Sequence, residues 1–218
     1  MKQKYLHEIK LVAFDVNGTM FNDRSIFFAA LNSIFEHFEK PTLSTQQLRK
    51  EFTQPWTKIY RERDISVDMG DDGALYKLYN RAYQEQARPR LAPGMKAALT
   101  FLINRRIPLV IVSTQQNVIT LPLLEASGIA RLFEEVIGGA ADKARSLSEL
   151  ALRRSLQPEH IAYVGDQDSD VTHSILAGCV PLAYTRGVHT KERLRTAGAI
   201  IFLENHKHFP ELPLLFRP

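Results

Sequence analysis

The chain has 218 residues, enough to bury a sizeable core as one domain or as one domain carrying a smaller inserted one. Its 44% hydrophobic and 24% charged composition is that of a folding globular chain and excludes disorder. The formal charge of +4 comes without a dense basic run or a basic stripe interleaved with aromatics, which argues against a nucleic-acid surface, and the single Cys179 excludes an internal disulfide framework or a cluster of thiolates.

Met1 to Lys10 is polar and charged, and the apolar run after it is cut short by Asp15, so no signal peptide is readable and a reducing cytoplasm is expected. No stretch approaches membrane-spanning length. Leu11-Val12-Ala13-Phe14 reads as a buried strand running into a tight loop at Asp15 to Thr19. From Asp23 to Pro89 the pattern is helical. Ile26, Phe27, Ala30, Leu31, Ile34, Phe35 and Phe38 follow helical spacing, Ser44 is placed to cap a shorter helix, and Leu75, Leu78, Tyr79, Ala82 and Tyr83 continue the pattern after Asp71-Asp72. Pro41, Pro55 and Gly70 to Gly73 mark breaks.

Beyond that segment, strands and helices alternate. Strands are expected at Pro108 to Val112, Ile161 to Val164, Val180 to Tyr184 and, more weakly patterned, Ala199 to Leu203; helices at Gly94 to Arg106, Asn117 to Ser127, Lys143 to Leu156, Ser169 to Ala177 and Thr190 to Thr196. Such alternation implies a doubly wound α/β core with a parallel sheet. The expected division is residues 1–19 and 90–218 for the core and 20–89 for an inserted helical cap.

Chemistry-bearing residues recur at the carboxyl ends of the strands, where sites form in open parallel sheets. Asp15 ends the first strand, Ser113 and Thr114 end the second, Lys143 opens a helix, and Asp166 and Asp170 follow Ile161 to Val164. Converging carboxylates with one lysine and one hydroxyl suit a hard cation and a phosphoryl group. Asp15 is the candidate nucleophile, Asp15 and Asp166 candidate Mg2+ ligands, and Asp170 a supporting or water-mediated ligand. Lys143 would neutralise the carboxylates, Ser113 would hydrogen-bond a phosphoryl oxygen, and Gly18 would let the backbone approach the same oxygens. The histidines show no metal-ligand spacing, Cys179 is expected to be a buried small hydrophobe, Trp56 to pack, and Lys58, Arg61 and Arg63 to form a charged helix face.

Asp15-Val16-Asn17-Gly18-Thr19 resembles the first motif, Asp-x-Asp-Gly-Thr, of the haloacid dehalogenase superfamily. Ser113, Lys143 and Gly165-Asp166-Gln167-Asp168-Ser169-Asp170 are similar to its second, third and fourth motifs, in order and across essentially the whole chain. The resemblance implies a Rossmann-like core with an inserted cap, and Mg2+ held by Asp15, Asp166, Asp170 and the main-chain carbonyl of Asn17. It further implies phosphate contacts from Gly18, Thr19, Ser113 and Thr114, and a small phosphorylated metabolite as partner of a monomer or homodimer.

Lys143 lacks the proline that follows the third motif's lysine in many capped members. Asn17 departs from the pattern more seriously, because hydrolytic phosphatases of this type carry an aspartate there as general acid and base. An amide cannot supply that proton, a loss of roughly 10² to 10⁴ in rate. The favoured expectation is Mg2+-dependent phosphomonoester hydrolysis through an aspartyl-phosphate on Asp15. The alternatives are carbon-halogen hydrolysis of the 2-haloacid type and a phosphate-binding protein of low turnover.

Overall fold

The structure, a computed structural model, describes residues 8–65 and 72–212. The chain divides into two units, Met1–Asn22 with Arg90–Pro218, and Asp23–Pro89. The division falls three residues later than the expected Thr19/Met20 boundary, for a reason visible in the backbone. Ala92 N–H donates to the Met20 carbonyl at 2.8 Å, Asn22 N–H donates to the Arg90 carbonyl at 2.9 Å, and Phe21 bridges Leu91, so Met20 to Asn22 pair with the returning chain.

The Asp23–Pro89 unit contains α1 (Arg24–His37), α2 (Thr45–Glu51), α3 (Lys58–Arg61) and α4 (Asp72–Gln84). Its core is aromatic: Phe27 meets Phe52 edge-on at 5.1 Å and Tyr79 at 6.2 Å, and Phe35 lies 4.9 Å from Tyr60. Trp56 packs among Tyr60, Tyr76 and Tyr79. Phe38 leaves the buried stripe and is 38% exposed, because α1 ends at His37 and the chain turns at Glu39 with φ of 53°. Gly73 lies inside the first turn of α4 rather than in a break, and Gly70 and Asp71 lie outside the described residues. The one-turn α3 carries too little periodicity to be read from sequence. Asp23 precedes α1 without capping it, since its buried carboxylate accepts the Tyr83 hydroxyl at 2.6 Å.

The other unit is built on β1 (Leu11–Phe14), β2 (Leu109–Ser113), β3 (Glu135–Gly138), β4 (Ile161–Gly165), β5 (Val180–Tyr184) and β6 (Phe202–Leu203). All pair in parallel, in the order β3-β2-β1-β4-β5-β6. Between them run α5 (Met95–Asn104), α6 (Asn117–Ala126), α7 (Lys143–Arg153), α8 (Asp168–Leu176) and α9 (Lys191–Thr196). Every residue of β1, β2, β4 and β5 is buried, as parallel strands covered on both faces require. β3 is half-buried throughout and, among the described residues, pairs only with β2, so it lacks the apolar run that would have marked it in the sequence. β6 is shorter than the expected Ala199 to Leu203.

The strand order reverses at β1, which has β2 on one side and β4 on the other. Chains leave neighbouring strands in opposite directions there, which opens a crevice at the carboxyl ends of β1 and β4. Asp15 and Asp166 are the residues that immediately follow those two strands.

One local element is directly testable. Ser44 Oγ accepts the Gln47 N–H at 3.2 Å while Gln47 Oε1 accepts the Ser44 N–H at 3.0 Å, a reciprocal capping box at the start of α2. Ser44→Ala is expected to lower stability by about 1 kcal/mol, read as a shift in the chemical denaturation midpoint.

Candidate active site

Asp15, Asp166 and Asp170 offer carboxylate oxygens that lie within 4.8 Å of one another, and all three are buried. Lys143 is 1% exposed at the first position of α7, where its Nζ lies 2.6 Å from Asp170 Oδ1 and 3.0 Å from Asp15 Oδ1. A cation at a helix N-terminus opposes the macrodipole, so these two carboxylates are what make the position tolerable. Ser113, the last residue of β2, donates its hydroxyl to Asp15 Oδ1 at 2.7 Å and accepts the Gln115 N–H. Asp15 Oδ1 is therefore occupied twice, while its Oδ2 takes no hydrogen bond among the described residues.

Asp170 organises the loop as well as the lysine. Its Oδ2 accepts the N–H groups of Asp166 and Gln167 at 3.0 and 2.9 Å, closing the turn between β4 and α8 around the side chain. Gly165 is required at this turn, since a Cβ there would sit 2.4 Å from the Asp170 carboxyl group. Asp166 is held by Thr19 Oγ1 at 2.7 Å and by the Val188 N–H at 2.6 Å. Gly18, at φ of +71°, presses its backbone against Asp166, and a Cβ there would fall 2.3 Å from Oδ2. Asn17 is buried beside it and bridges Phe21. Thr114 is half-buried and makes no hydrogen bond to the cluster among the described residues.

The electrostatics are unbalanced. Burial raises the Asp15 carboxyl above the ordinary range; Lys143 and the Ser113 hydroxyl oppose the rise, and Asp170 adds to it. Asp166 is pushed well above its usual value by burial and by the charges of Asp170 and Asp15, against the Val188 and Thr19 hydrogen bonds. Lys143 would be lowered by burial, but the two carboxylates outweigh that and raise it. Three carboxylates against one ammonium leave a deficit of positive charge inside a dry site. A bound divalent cation fits both that deficit and the all-oxygen donor set.

Some of this machinery carried no sequence signal. Val188 contributes only its main-chain N–H, and Gly187 is there because a Cβ would clash with Asp166 at 2.1 Å. Tyr163, inside β4, donates to the Val112 carbonyl at 2.8 Å and places its ring 5.6 Å from Lys143 Nζ. Asp168, by contrast, turns away from the cluster to Arg193, whose Nε and a terminal nitrogen both lie 2.7 Å from its Oδ2. Cys179 is a buried thiol, and Lys58 and Arg63 are taken up by ion pairs with Glu62 and Glu51.

The family model described as haloacid dehalogenase-like hydrolase matches residues 12–183, from within β1 to within β5. The chain belongs to that family. Among curated relatives, a phosphoglycolate phosphatase of Chromobacterium violaceum is 27% identical over 194 residues, covering 84% of this chain and 87% of the relative. One of Escherichia coli strain K12 is 26% identical over 215 residues, covering 86% and 85%. A solved haloacid dehalogenase-like family hydrolase from Streptococcus pneumoniae superposes with a TM-score of 0.76 at 20% identity, over 91% of this chain and 95% of its own, which shows the shared fold.

Within this haloacid dehalogenase-like chain, Asp168 has a structural signature distinct from that of its neighbours. Burial would raise its pKa, but the hydrogen bonds and charges of His189 and Arg193 outweigh burial and hold it down to about 2. A depressed carboxylate contributes stability that is complete above its unfolded value near 3.8 and is lost as pH falls through about 2. Asp168→Asn is expected to cost about 1–2 kcal/mol at neutral pH, discounted for partial exposure, and to flatten the acid limb of the stability profile below pH 4. Denaturant titrations of both proteins from pH 2 to 7 check this, and an unchanged acid limb would refute it.

Proposed function

We propose that the chain is a phosphatase that hydrolyses small phosphomonoesters, with Asp15 as nucleophile, Mg2+ as cofactor and the Asp23–Pro89 unit as its cap. The observation that carries the reading is the pairing of a buried carboxylate, held at one oxygen and open at the other, with two further carboxylates and one lysine. Relatives named phosphoglycolate phosphatase support the same chemistry, and their substrate is the natural first member of a test panel.

Asp15, Asp166 and the Asn17 main-chain carbonyl would hold Mg2+, with Asp170 in support, and the ion would supply the positive charge that keeps these carboxylates ionised beside a phosphoryl group. Asp15 Oδ2 attacks phosphorus, the bond from phosphorus to the ester oxygen breaks, the alcohol departs with a proton taken from water, and the phosphoryl group rests on Asp15. Water then displaces Asp15 from phosphorus and releases inorganic phosphate. Ser113 and Lys143 fix Asp15 Oδ1 and so set the direction of Oδ2. As the phosphoryl group arrives, Lys143 stands ready to share its charge with the transferring oxygens, while the loop of Gly18 and Thr19 lies beside them.

The crowding of carboxylates also weighs against the carbon-halogen alternative. A metal-free nucleophile gains nothing from further acids a few ångströms away, since the charge of Asp170 raises the Asp15 carboxyl and lowers its ionised fraction. Asp15→Asn is expected to abolish phosphate release from every member of a metabolite panel while leaving the thermal transition in place, because the change removes charge and little volume. Residual wild-type turnover in that variant would refute the assignment. Chelation by EDTA is expected to stop wild-type turnover and Mg2+ to restore it.

Asn17 sets the rate. Without a side-chain acid beside the leaving group, wild-type protein is expected to be a slow catalyst that favours acyl or aryl phosphates, whose leaving groups need no proton. The aspartyl-phosphate should also accumulate, because its attacking water has no base. Asn17→Asp is expected to raise alkyl phosphate turnover by about 10²-fold, the lower end of the 10² to 10⁴ range of general acid-base catalysis, and aryl phosphate turnover by less. Steady-state rates on both substrate types at equal Mg2+ and several pH values check this. A fall on every substrate would show that the asparagine is itself part of the mechanism.

A further inference from the structure

The C-terminal part of the chain returns to the nucleophile loop through a buried histidine. His206 begins a 3-10 turn, His206–Glu211, and is fully buried. Its Nε2 lies 2.9 Å from the carbonyl oxygen of Thr19, 187 residues earlier in the chain. A carbonyl only accepts, so Nε2 carries the hydrogen. Nδ1 is buried without a hydrogen-bond partner among the described residues, which is consistent with a neutral ring whose bare nitrogen faces the interior. Burial pushes this imidazole down to about 4, so it stays uncharged at neutral pH.

The ring is held too firmly to be incidental packing. It stacks on Tyr184, the last residue of β5, at 4.3 Å and 19°, and lies nearly parallel to Phe209, which itself rests 6.0 Å from Phe14 of β1. The His206 N–H donates to the Pro93 carbonyl. At Gly94, with φ of +78°, a Cβ would lie 2.2 Å from Asn205 Oδ1 and 2.3 Å from the Lys207 nitrogen, so the two backbones are in direct contact. The turn is thus docked from three sides, with its imidazole aimed at one peptide of the loop between Asp15 and Phe21.

That peptide is not an arbitrary one. Thr19 holds Asp166 Oδ1 through its hydroxyl, so the orientation of the Thr19 backbone sets where that hydroxyl points. We infer that His206 is a positioning residue for the metal site: by donating to the Thr19 carbonyl it fixes the Thr19 hydroxyl on Asp166, and with it the placement of Asp166 relative to Asp15. The inference rests on the reading of Asp15 and Asp166 as Mg2+ ligands given above. Thr19 is the partner one bond removed from a ligand, a place where loss weakens metal binding by roughly 10- to 100-fold, and His206 acts through it from one contact further out, toward the lower end of that range.

The experiment is Mg2+ titration by calorimetry, without substrate, on the full-length wild type, Asp166→Ala, His206→Phe and His206→Gln, each with a thermal transition recorded. Phenylalanine keeps the ring and its stacking but has no donor; glutamine has no ring but returns an N–H donor. The expected result is that His206→Phe binds Mg2+ about tenfold more weakly, and that His206→Gln recovers most of that loss. Wild-type affinity in folded His206→Phe overturns the inference, and so does a glutamine variant as weak as the phenylalanine one.

A second measurement covers the case in which His206→Phe does not fold. Nitrogen-15 correlation spectra of wild-type imidazoles should show His206 as the neutral Nε2–H tautomer at pH 7, and an Nδ1–H or charged ring overturns the assignment. If wild type itself binds no Mg2+, the reading beneath fails and the inference with it. If wild type binds and Asp166→Ala does not, the metal site stands and the His206 variants alone decide.

Discussion

A deficit of positive charge at the carboxyl edge of the sheet governs this structure. Asp15, Asp166 and Asp170 are buried within reach of one another, and Lys143 alone among the described side chains brings an ammonium into their midst. Carboxylates in so dry a setting tend to protonate rather than share space as anions, as the upward shifts of Asp15 and Asp166 express. Losing Lys143 would leave them with no buried counter-charge, a change that typically costs about 3–5 kcal/mol when one partner of a buried pair is removed. The arrangement is poor as a stabilising device and well suited to receive a cation and a phosphoryl group.

The fold keeps these groups apart by small, specific means. Each carboxylate is tied to a different stretch of chain: Asp15 to Ser113 at the end of β2, Asp166 to Thr19 and Val188, and Asp170 to the turn it closes. Phe14, the last residue of β1, lies opposite Ile111 and Val164, so β2 and β4 end only two and one residues further on and Asp15, Ser113 and Asp166 emerge at the same edge. Gly18, Gly165 and Gly187 remove the side chains that would otherwise collide with Asp166 or Asp170. Backbone donors hold the anions in place without adding mobile charge.

What the sequence made legible follows from the same physics. β1 and β5 could be bounded to the residue because a strand covered on both faces is an unbroken apolar run closed by a polar residue or a turn. β3 escaped because Glu135 and Gly138 frame only two apolar residues, which is all that an edge strand needs. Acids, lysine and hydroxyl were readable since their chemistry is in the side chain, and the structure brings Asp15, Ser113, Lys143, Asp166 and Asp170 together while leaving Thr114 to one side. The Val188 N–H and the His206 contact could not be read that way. A main-chain donor has no letter of its own, and a histidine 187 residues from its partner carries no spacing signal.

Asn17 takes on a second meaning once that imbalance is recognised. It is buried in the loop that carries Asp15, next to Gly18, whose backbone presses against Asp166. An aspartate there would bring one more carboxylate into a region where burial and like charge already raise two others. The amide adds no charge, so the metal-free protein tolerates its own site more readily than an acid at this position would permit. The amide at residue 17 therefore spares the fold a further repulsion. An acid at residue 17 would make the folded state lean harder on a bound cation.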